Sequence, residues 1–325
     1  MNRRFPILLL ICLLTASFGL AQNKPLKKVN FLPLWVPQPQ FAGYYMAKEK
    51  GIYAKYGLDV NIIHGGYVRD VPVSLKEGKA DFGIMYLAAA IKERTEGTAL
   101  VNVGQIFQQS EIMFVAKKSS GIKSLKDFQG KRIAVWRTVL EDLTVGFLEK
   151  HKIKAKVIRI NEGVNIFLKD GVDICAVMYY NEYNSLINYG MNPNELNIFR
   201  FRDYGMNLPE DGIYCMEETY KKDPVMCRNF LRASIEGWNY ALTHRNESLQ
   251  VLKKYQKQEK VIDNRAHASW MMNAMEGAVK PKGKNVKTGE LLKSDYDKAV
   301  QFLMNNKYIT KAPEYRIFYR GWSNE

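Results

Sequence analysis

Short apolar runs alternate with amphipathic stretches along the part of the chain that follows the N-terminal segment. The apolar runs are typical of buried strands, and apolar residues that recur every three or four positions are typical of helices with one buried face. Alternation of the two predicts a parallel sheet covered by helices. The predicted strands are Lys28–Leu34, Leu58–Ile63, Phe82–Met85 and Leu100–Gln105, and the predicted helices are Phe41–Lys50, Val71–Lys76 and Leu87–Arg94.

A second series of the same kind follows the polar stretch that ends at Gly121. The segment "LKEGKADFGIM" of the first series is echoed by "LKDGVDICAVM" in the second, so Asp81 and Asp173 occupy equivalent positions. The echo indicates two lobes built on one α/β plan. The predicted strands are Arg132–Trp136, Lys156–Ile160 and Ile174–Met178, and the predicted helices are Leu125–Phe128, Leu140–His151 and Ile166–Lys169.

From about Thr219 the pattern becomes helical, and a tail of this length usually packs on the first lobe. The predicted helices of the tail are Val225–Leu242, Glu247–Tyr255, Ala266–Val279 and Ser294–Asn305. A chain of 325 residues also exceeds what one small core usually holds. We therefore expect lobe 1 to comprise 27–116 and 203–325 and lobe 2 to comprise 117–202, with crossovers near Val115–Ser119 and Arg200–Gly205.

Residues 1–21 have the layout of a secretory signal peptide, with Arg3 and Arg4 before an apolar run and cleavage expected after Ala21. The run is short for a membrane span. The sequence thus predicts export to the periplasm. A lipid anchor on Cys12, which Ile11 disfavours, and an uncleaved N-terminal anchor remain alternatives, so the exported protein is either free or membrane-tethered.

Composition excludes several classes of function. The formal charge is +15, but the lysines are spread over the chain without a dense basic run, which favours a solvated surface over nucleic-acid binding. Cys215 and Cys227 are the favoured pair if one disulfide forms, and the three cysteines that follow residue 21 do not make a disulfide scaffold. The histidines are scattered, and no metal site is expected.

The predicted strand ends carry aromatic and amide side chains. Ligands of open α/β sheets bind beyond the carboxyl ends of the strands, which for two facing lobes is the cleft between them. Rings that cover the faces of a flat heterocycle, with amides and a carboxylate along its edge, suit a ligand such as an aminopyrimidine. The candidate ligand-binding residues are Trp35, Gln38, Gln40, Tyr44, Tyr86, Arg137, Tyr180, Asn181, Glu182 and Tyr204.

Each candidate has a structural alternative. Trp35 and Tyr86 are expected to stack on the faces of the ligand, and Asn181 and Glu182 to form hydrogen bonds with its edge. For Trp35 and Tyr44, a position in the hydrophobic core is an equally good interpretation of the sequence. Glu182 could instead be a solvent-facing carboxylate at a helix start, where the helix dipole favours it. Tyr180 or Tyr204 is the expected lid, and Arg137 would either accept an anionic group or block the cleft.

Sequence motifs of catalysis are scarce. The chain contains no G-x-S-x-G, no Walker loop and no G-x-G-x-x-G. Binding without catalysis, and without a cofactor, is therefore the favoured interpretation.

Six segments occur in an order that resembles one family: "LWVPQPQFAGYYMAKEKGIYAKYGLDVNII", "EGKADFGI", "KSLKDFQGKRIAVW", "VDICAVMYYNEY", "RDYGMNLPEDGIY" and "RNFLRASIEGWNYAL". They resemble the solute-binding proteins of ABC importers that are related to thiamine-pyrimidine synthase. The resemblance runs from about Val29 to the end of the chain.

The resemblance implies a type II periplasmic-binding-protein fold, in which two α/β lobes are joined by two hinge crossovers. It implies a monomer that delivers a thiamine pyrimidine precursor, a flavin or a similar small molecule to an ABC permease in the inner membrane. The ligand-binding positions of the family correspond to Trp35 and to Asn181, Glu182 and Tyr183.

An enzyme with the same fold, the thiamine-pyrimidine synthase, is the alternative. The enzyme's lysine and histidine correspond to Met85 and Ala89, and its glycine-containing phosphate loop corresponds to Arg137–Leu140, which has no glycine. Of its cysteine cluster, which would fall at Asn207–Cys215, only Cys215 remains. These departures favour a binding protein over the synthase.

Overall fold

The computed structural model describes residues 25–66, 68–137, 139–161 and 163–322. The predicted signal peptide, including Cys12, lies outside these residues. Among the helices that fall within them, none combines the length and the apolar character that a membrane crossing requires.

The chain forms two five-stranded sheets, with strands numbered β1 to β10 in chain order. The sheet of lobe 1 has the order β2-β1-β3-β10-β4, and the sheet of lobe 2 has the order β7-β6-β8-β5-β9. The two orders are equivalent, which confirms the predicted two-lobe α/β plan. The strands are β1 Lys27–Leu32, β2 Leu58–Ile62, β3 Phe82–Tyr86, β4 Leu100–Gln105, β5 Ile112–Lys117, β6 Arg132–Trp136, β7 Lys156–Ile160, β8 Ile174–Met178, β9 Leu196–Arg200 and β10 Asp211–Met216.

The sheets are mixed, and in this respect the prediction of parallel sheets is wrong. β10 runs antiparallel to β3 and β4, and β5 runs antiparallel to β8 and β9, because these are the strands by which the chain enters the other lobe. Since β5 already belongs to the second sheet, the first crossover is 106–111. The predicted crossover at Val115–Ser119 and the lobe boundary at 116/117 are therefore too late. The second crossover is 201–210, between β9 and β10.

Helices cover both sheets and form the tail. Their bounds are α1 Ala42–Glu49, α2 Ile52–Lys55, α3 Val71–Lys76, α4 Leu87–Thr95, α5 Val139–Lys150, α6 Asn165–Leu168, α7 Glu182–Asn188, α8 Glu217–Lys222, α9 Pro224–Thr243, α10 Arg245–Gln258, α11 Arg265–Val279, α12 Lys293–Asn305 and α13 Tyr315–Phe318. Short 3-10 helices lie at Pro39–Phe41, Lys118–Ser120, Leu125–Phe128, Pro193–Glu195 and Phe201–Tyr204.

The tail packs on lobe 1 through a close crossing of α1 and α9. A Cβ atom on Gly43 would lie 2.3 Å from the Trp238 ring, and one on Gly237 would lie 2.2 Å from the Gly43 carbonyl oxygen. Glycine is therefore required on both helices. This contact fixes α1 and, with it, the 3-10 helix at Pro39–Phe41, which leads from the first strand to the cleft.

The sequence echo has a structural counterpart. Asp81 Oδ2 accepts a hydrogen bond of 2.7 Å from the backbone N–H of Asn30, and Asp173 Oδ2 accepts one of 2.8 Å from that of Arg132. Each aspartate thus joins the start of a strand to its parallel neighbour. The favoured disulfide is not formed, since Cys215 and Cys227 are buried free thiols.

Candidate functional site

A cavity of about 790 Å³ separates the two sheets at the carboxyl ends of β3, β6 and β8. Lobe 1 contributes the loop after β1, the end of β3 and the exposed face of α4. Lobe 2 contributes the turns after β6, β7 and β8. Eight of the ten candidates line this cavity: Trp35, Gln38, Gln40, Tyr86, Arg137, Tyr180, Asn181 and Glu182.

Two tyrosines form the floor of the cavity, one from each lobe. Tyr86 follows from β3 and Tyr180 from the turn after β8, and their side chains are only 5% and 2% exposed. Burial raises the pKa of both hydroxyl groups, and a hydrogen bond joins them. Trp35 and Trp136 add two further rings to the wall. The inner cavity therefore offers flat, neutral surfaces from both lobes.

A row of two amides and one carboxyl group supports the lobe 1 wall. Gln38 donates to Gln40 Oε1 at 2.5 Å, and Gln40 Nε2 donates to Asp211 Oδ2 at 2.9 Å. Burial raises the pKa of Asp211 to about 7. Asp211 lies under Gln40 and is not part of the cavity lining. It therefore holds the amide of Gln40 in one orientation.

Glu182 contributes a carboxyl group to the cavity beside Tyr180 and Asn181. Its Oε2 accepts from the Met178 backbone N–H and its Oε1 from Asn181 Nδ2, both at 2.9 Å. The side chain is partly exposed to the cleft but surrounded by protein, and this burial raises the pKa of Glu182 to about 7, against the lowering effect of the backbone hydrogen bonds. Each oxygen retains a lone pair for a ligand.

Three positions proposed from sequence do not reach the cavity. Tyr44 is 1% exposed and packs in the core, edge-on to Trp238. Tyr204 lies in the 3-10 helix after β9 and packs against Phe147, so it is not a lid. Tyr183 points the other way along α7, toward Trp270 of α11. Consecutive residues of a helix face different sides, so Tyr183, which follows Glu182 in α7, faces away from the cavity.

The mouth of the cavity is charged, and sequence reasoning identified only Arg137 of its charged residues. Lys92 of α4 pairs with Asp142 of α5 at 2.6 Å, an ion pair that links the two lobes across the cleft. These residues carried no recognisable pattern, because their side chains meet only after both lobes fold. The charged side chains at the mouth are Arg69, Asp70, Lys92, Glu93, Glu96, Arg137, Glu141 and Asp142.

Among the described residues that line the cavity, the lysine is Lys92, and it is ion-paired with Asp142. Met85 and Ala89 present apolar surface to the cavity. For Lys92, burial lowers the pKa, but the hydrogen bond that it donates to Asp142 and the negative charges of Asp142, Glu96 and Glu93 together raise it further, so the pKa is raised and the amine stays protonated. Within the described ranges, no three His, Cys, Asp or Glu side chains are grouped to hold a metal ion.

Fold and cleft together place the chain in the structural class of two-lobed periplasmic binding proteins. The aliphatic sulphonate binding protein SsuA from Escherichia coli has this fold, with a TM-score of 0.70 and 14% identity, over 90% of this chain and 91% of that one. The chain belongs to the NMT1/THI5 like family, whose model matches residues 38–248.

Two relatives in sequence have different names. The riboflavin-binding protein RibY of Chloroflexus aurantiacus is 24% identical over 236 residues, which are 70% of this chain and 66% of that protein. A 4-amino-5-hydroxymethyl-2-methylpyrimidine phosphate synthase of Saccharomyces cerevisiae is 24% identical over 233 residues, 66% of this chain and 67% of that protein. The chain thus spans about two thirds of the length of each, one named for binding and one for synthesis.

Proposed function

We propose that the chain is an exported solute-binding protein of an ABC importer, and that its cleft binds an aminopyrimidine precursor of thiamine or a similar small aromatic heterocycle. The observation that carries the proposal is the combination of Tyr86 and Tyr180 with Glu182, a buried carboxyl group. Among the described residues, no cationic side chain contributes to the pKa of Glu182. A ligand is then the natural partner for that carboxyl group.

An aminopyrimidine presents an amine beside a basic ring nitrogen. A carboxyl group can receive a hydrogen bond from the amine while it shares a proton with the ring nitrogen, which gives two parallel hydrogen bonds. Because its pKa is about 7, Glu182 can take part as acid or as carboxylate near neutral pH. The rings of Trp35, Tyr86 and Tyr180 would cover the faces of the heterocycle.

The volume of the cavity bears on the size of the ligand. At about 790 Å³ it falls within the range of about 300–1,000 Å³ that is usual for small-molecule sites. A single pyrimidine ring would occupy only the inner part and leave the charged mouth to water or to a substituent. A flavin would fill more of the cavity, so it belongs in the same binding experiment.

The synthase is the alternative function, and the cavity lining argues against it. The two positions that correspond to its lysine and histidine are Met85 and Ala89, and both side chains face the cavity. An enzyme of that type would hold pyridoxal phosphate on a lysine. Incubation with pyridoxal phosphate, followed by borohydride reduction and mass spectrometry of the intact protein, should give no adduct at a cavity lysine if the chain is a binding protein.

The proposed delivery to a permease follows from the two-lobed architecture. Closure of two lobes around a ligand produces a surface that the open state lacks, and a membrane partner can recognise it. The protein is expected to act as a monomer outside the cytoplasmic membrane.

Thermal unfolding of the chain without residues 1–21 tests the proposal. The ligands are 4-amino-5-hydroxymethyl-2-methylpyrimidine, thiamine and riboflavin. A ligand present at 100 times its dissociation constant stabilises the folded state by about 2.7 kcal/mol, which a melting curve detects. Stabilisation by the pyrimidine supports the specific proposal, stabilisation by riboflavin alone redirects it to flavins, and no shift with any of the three contradicts it.

A further inference from the structure

His267 contacts the start of α7, where Asn181 and Glu182 lie, from the side away from the cavity. Its Nε2 lies 3.0 Å from Asn181 Oδ1 and its Nδ1 lies 2.9 Å from Asn184 Oδ1. His267 is on α11, which otherwise packs on lobe 1, against the 3-10 helix at Pro39–Phe41 and against α9 and α10. A helix of the tail therefore reaches lobe 2 at the start of α7, where Asn181 and Glu182 lie.

A second contact fixes the approach of α11. Trp270, nearly one helical turn after His267, donates a hydrogen bond of 3.1 Å from Nε1 to the Tyr179 carbonyl oxygen. Its ring lies 5.3 Å from that of Tyr179 and 6.0 Å from that of Tyr183. The imidazole of His267 is therefore held against the Asn181 amide by a packed aromatic cluster.

The hydrogen-bond pattern determines which ring nitrogen carries the hydrogen. Burial lowers the pKa of His267, so the ring is neutral at pH 7 and has one donor and one acceptor. The NH2 group of Asn181 donates to Glu182 Oε1, so the Asn181 carbonyl faces the ring and Nε2 must donate to it. Asn184 Oδ1, which faces Nδ1, can also only accept, but it already accepts a hydrogen bond from Asn188 Nδ2. The single ring hydrogen is therefore assigned to Nε2, which faces the Asn181 carbonyl oxygen.

We propose that His267 is a positioning residue for the ligand site, because its Nε2–H fixes the Asn181 amide so that Glu182 directs acceptor atoms into the cleft. A reversed Asn181 amide would instead place its carbonyl oxygen against the carboxylate. The ligand edge at this place must then supply hydrogen-bond donors, so the site selects an amino heterocycle over its oxo analogue. The choice of ligand rests on the proposed function, whereas the effect on Glu182 does not.

The other titratable groups around Glu182 are uncharged at neutral pH, so a change in the pKa of Glu182 reports on its hydrogen bond with Asn181. They are the hydroxyl groups of Tyr180 and, from lobe 1, Tyr86, together with the Cys175 thiol of β8. Burial raises the pKa of all three, so they are uncharged at neutral pH. On the side of His267, the hydrogen-bond contacts of the ring are with the uncharged amides of Asn181 and Asn184. A hydrogen bond to the carboxylate lowers its pKa, so its loss raises the pKa.

The test compares three substitutions in the chain without residues 1–21. His267→Leu removes the donor at similar volume, His267→Gln can restore a donor near Nε2, and His267→Asn can place one only near Nδ1, toward Asn184. The titration midpoint of Glu182 is measured by carbon NMR of carboxyl-labelled glutamate without ligand, and Glu182→Gln assigns the signal. We expect an upward shift of about one pH unit in the Leu and Asn variants and little change in the Gln variant.

Binding gives the second readout, with 4-amino-5-hydroxymethyl-2-methylpyrimidine and its 4-oxo analogue as probes. The Leu variant should bind the amino compound about tenfold more weakly and lose most of the preference for it, and the Gln variant should regain the preference. An unchanged Glu182 midpoint in a folded Leu or Asn variant overturns the positioning role. If the wild-type chain binds neither probe, the proposed ligand is wrong, while the NMR result still decides the role of His267. If the Leu variant fails to fold, the Gln and Asn variants decide it.

Discussion

Each lobe places one buried tyrosine and one carboxyl group of raised pKa at the cleft, but the two carboxyl groups have different surroundings. In lobe 1, Asp211 lies under the cavity wall and binds the Gln40 amide at 2.9 Å. In lobe 2, Glu182 lines the cavity itself. Burial raises the pKa of both to about 7. A similar rise in pKa thus accompanies an amide partner within the wall of lobe 1 and a carboxyl group that faces the open cavity in lobe 2.

The difference arises after the strands end, since the sheets themselves are equivalent. β3 of lobe 1 passes directly into α4 at Leu87, whereas β8 of lobe 2 and α7 are separated by the turn 179–181. That turn carries Tyr180 and Asn181 and delivers Glu182 at the first position of α7. A few residues at one strand end can therefore line a cleft with polar side chains in one lobe, without change to the order of the sheet.

The largest expected effect concerns stability against pH, and both carboxyl groups should show it. The folded state raises the pKa of Glu182 from 4.5, and that of Asp211 from 3.8, to about 7. The folded state therefore binds more protons than the unfolded state between these values, and stability falls as the pH rises toward 7. The loss is up to about 3 kcal/mol for Glu182 and about 4 kcal/mol for Asp211.

Urea unfolding at pH 5 and pH 8 measures the part of this loss that falls between the two pH values, about 2.5 kcal/mol for each carboxyl group. Glu182→Gln and Asp211→Asn should each lose less stability than the wild type between the two pH values, and Asp59→Asn, at an exposed position, should behave as the wild type does. Equal losses in all four proteins would mean that water in the cleft keeps both carboxyl groups near their ordinary pKa.

Substitution of the two carboxyl groups should have similar effects on stability but different effects on ligand affinity. Glu182→Gln replaces an acceptor in the cavity by an amide, and we expect about 100-fold weaker binding of 4-amino-5-hydroxymethyl-2-methylpyrimidine, about 2.7 kcal/mol. Asp211→Asn acts only through Gln40 and should weaken binding less than fivefold. Isothermal titration calorimetry at pH 7 measures both, and a larger effect of Asp211→Asn would reverse the assigned roles.

Most strands within each lobe were predicted well from the sequence, whereas the strands next to the crossovers were predicted poorly. Amphipathic patterns identified β1 to β4, β6 to β8 and four tail helices within a few residues. β5, β9 and β10 were missed, because the residues of a crossover strand such as Ile112–Lys117 read equally well as the end of one lobe or the start of the next. Only pairing with β8 and β9 decides it.

The site was predictable where chemistry is local and unpredictable where it depends on distant contacts. Trp35, Tyr86 and the segment from Tyr180 to Glu182 follow strands, so topology places them at the cleft. Tyr44 was ambiguous because one helical face meets the core and the next meets the cavity. The support from His267 joins residues 86 apart in the chain, and no local pattern encodes such a contact.

The aromatic wall of lobe 1 should contribute less to affinity than the edge of lobe 2. Trp35→Ala removes one stacking surface, and we expect about tenfold weaker binding of the pyrimidine, with the melting temperature little changed. Tyr44→Phe is the matched control, because Tyr44 was an equal candidate by sequence and lies in the core. A larger loss from Tyr44→Phe than from Trp35→Ala would show that the wall lies elsewhere.

The smallest effect is expected at the mouth, where the lobes meet directly. The Lys92 and Asp142 side chains are 32% and 29% exposed, so their ion pair should contribute less than about 1 kcal/mol. Lys92→Met and Asp142→Asn should each weaken binding about twofold, and the double variant should be no worse than either single one, because both remove one interaction. Isothermal titration calorimetry of the wild type, the two single variants and the double variant, at low and at high salt, measures this double-mutant cycle. Additive losses would mean that the two residues contact the ligand separately. The charged mouth would then be part of the ligand-binding site, together with Asn181 and Glu182.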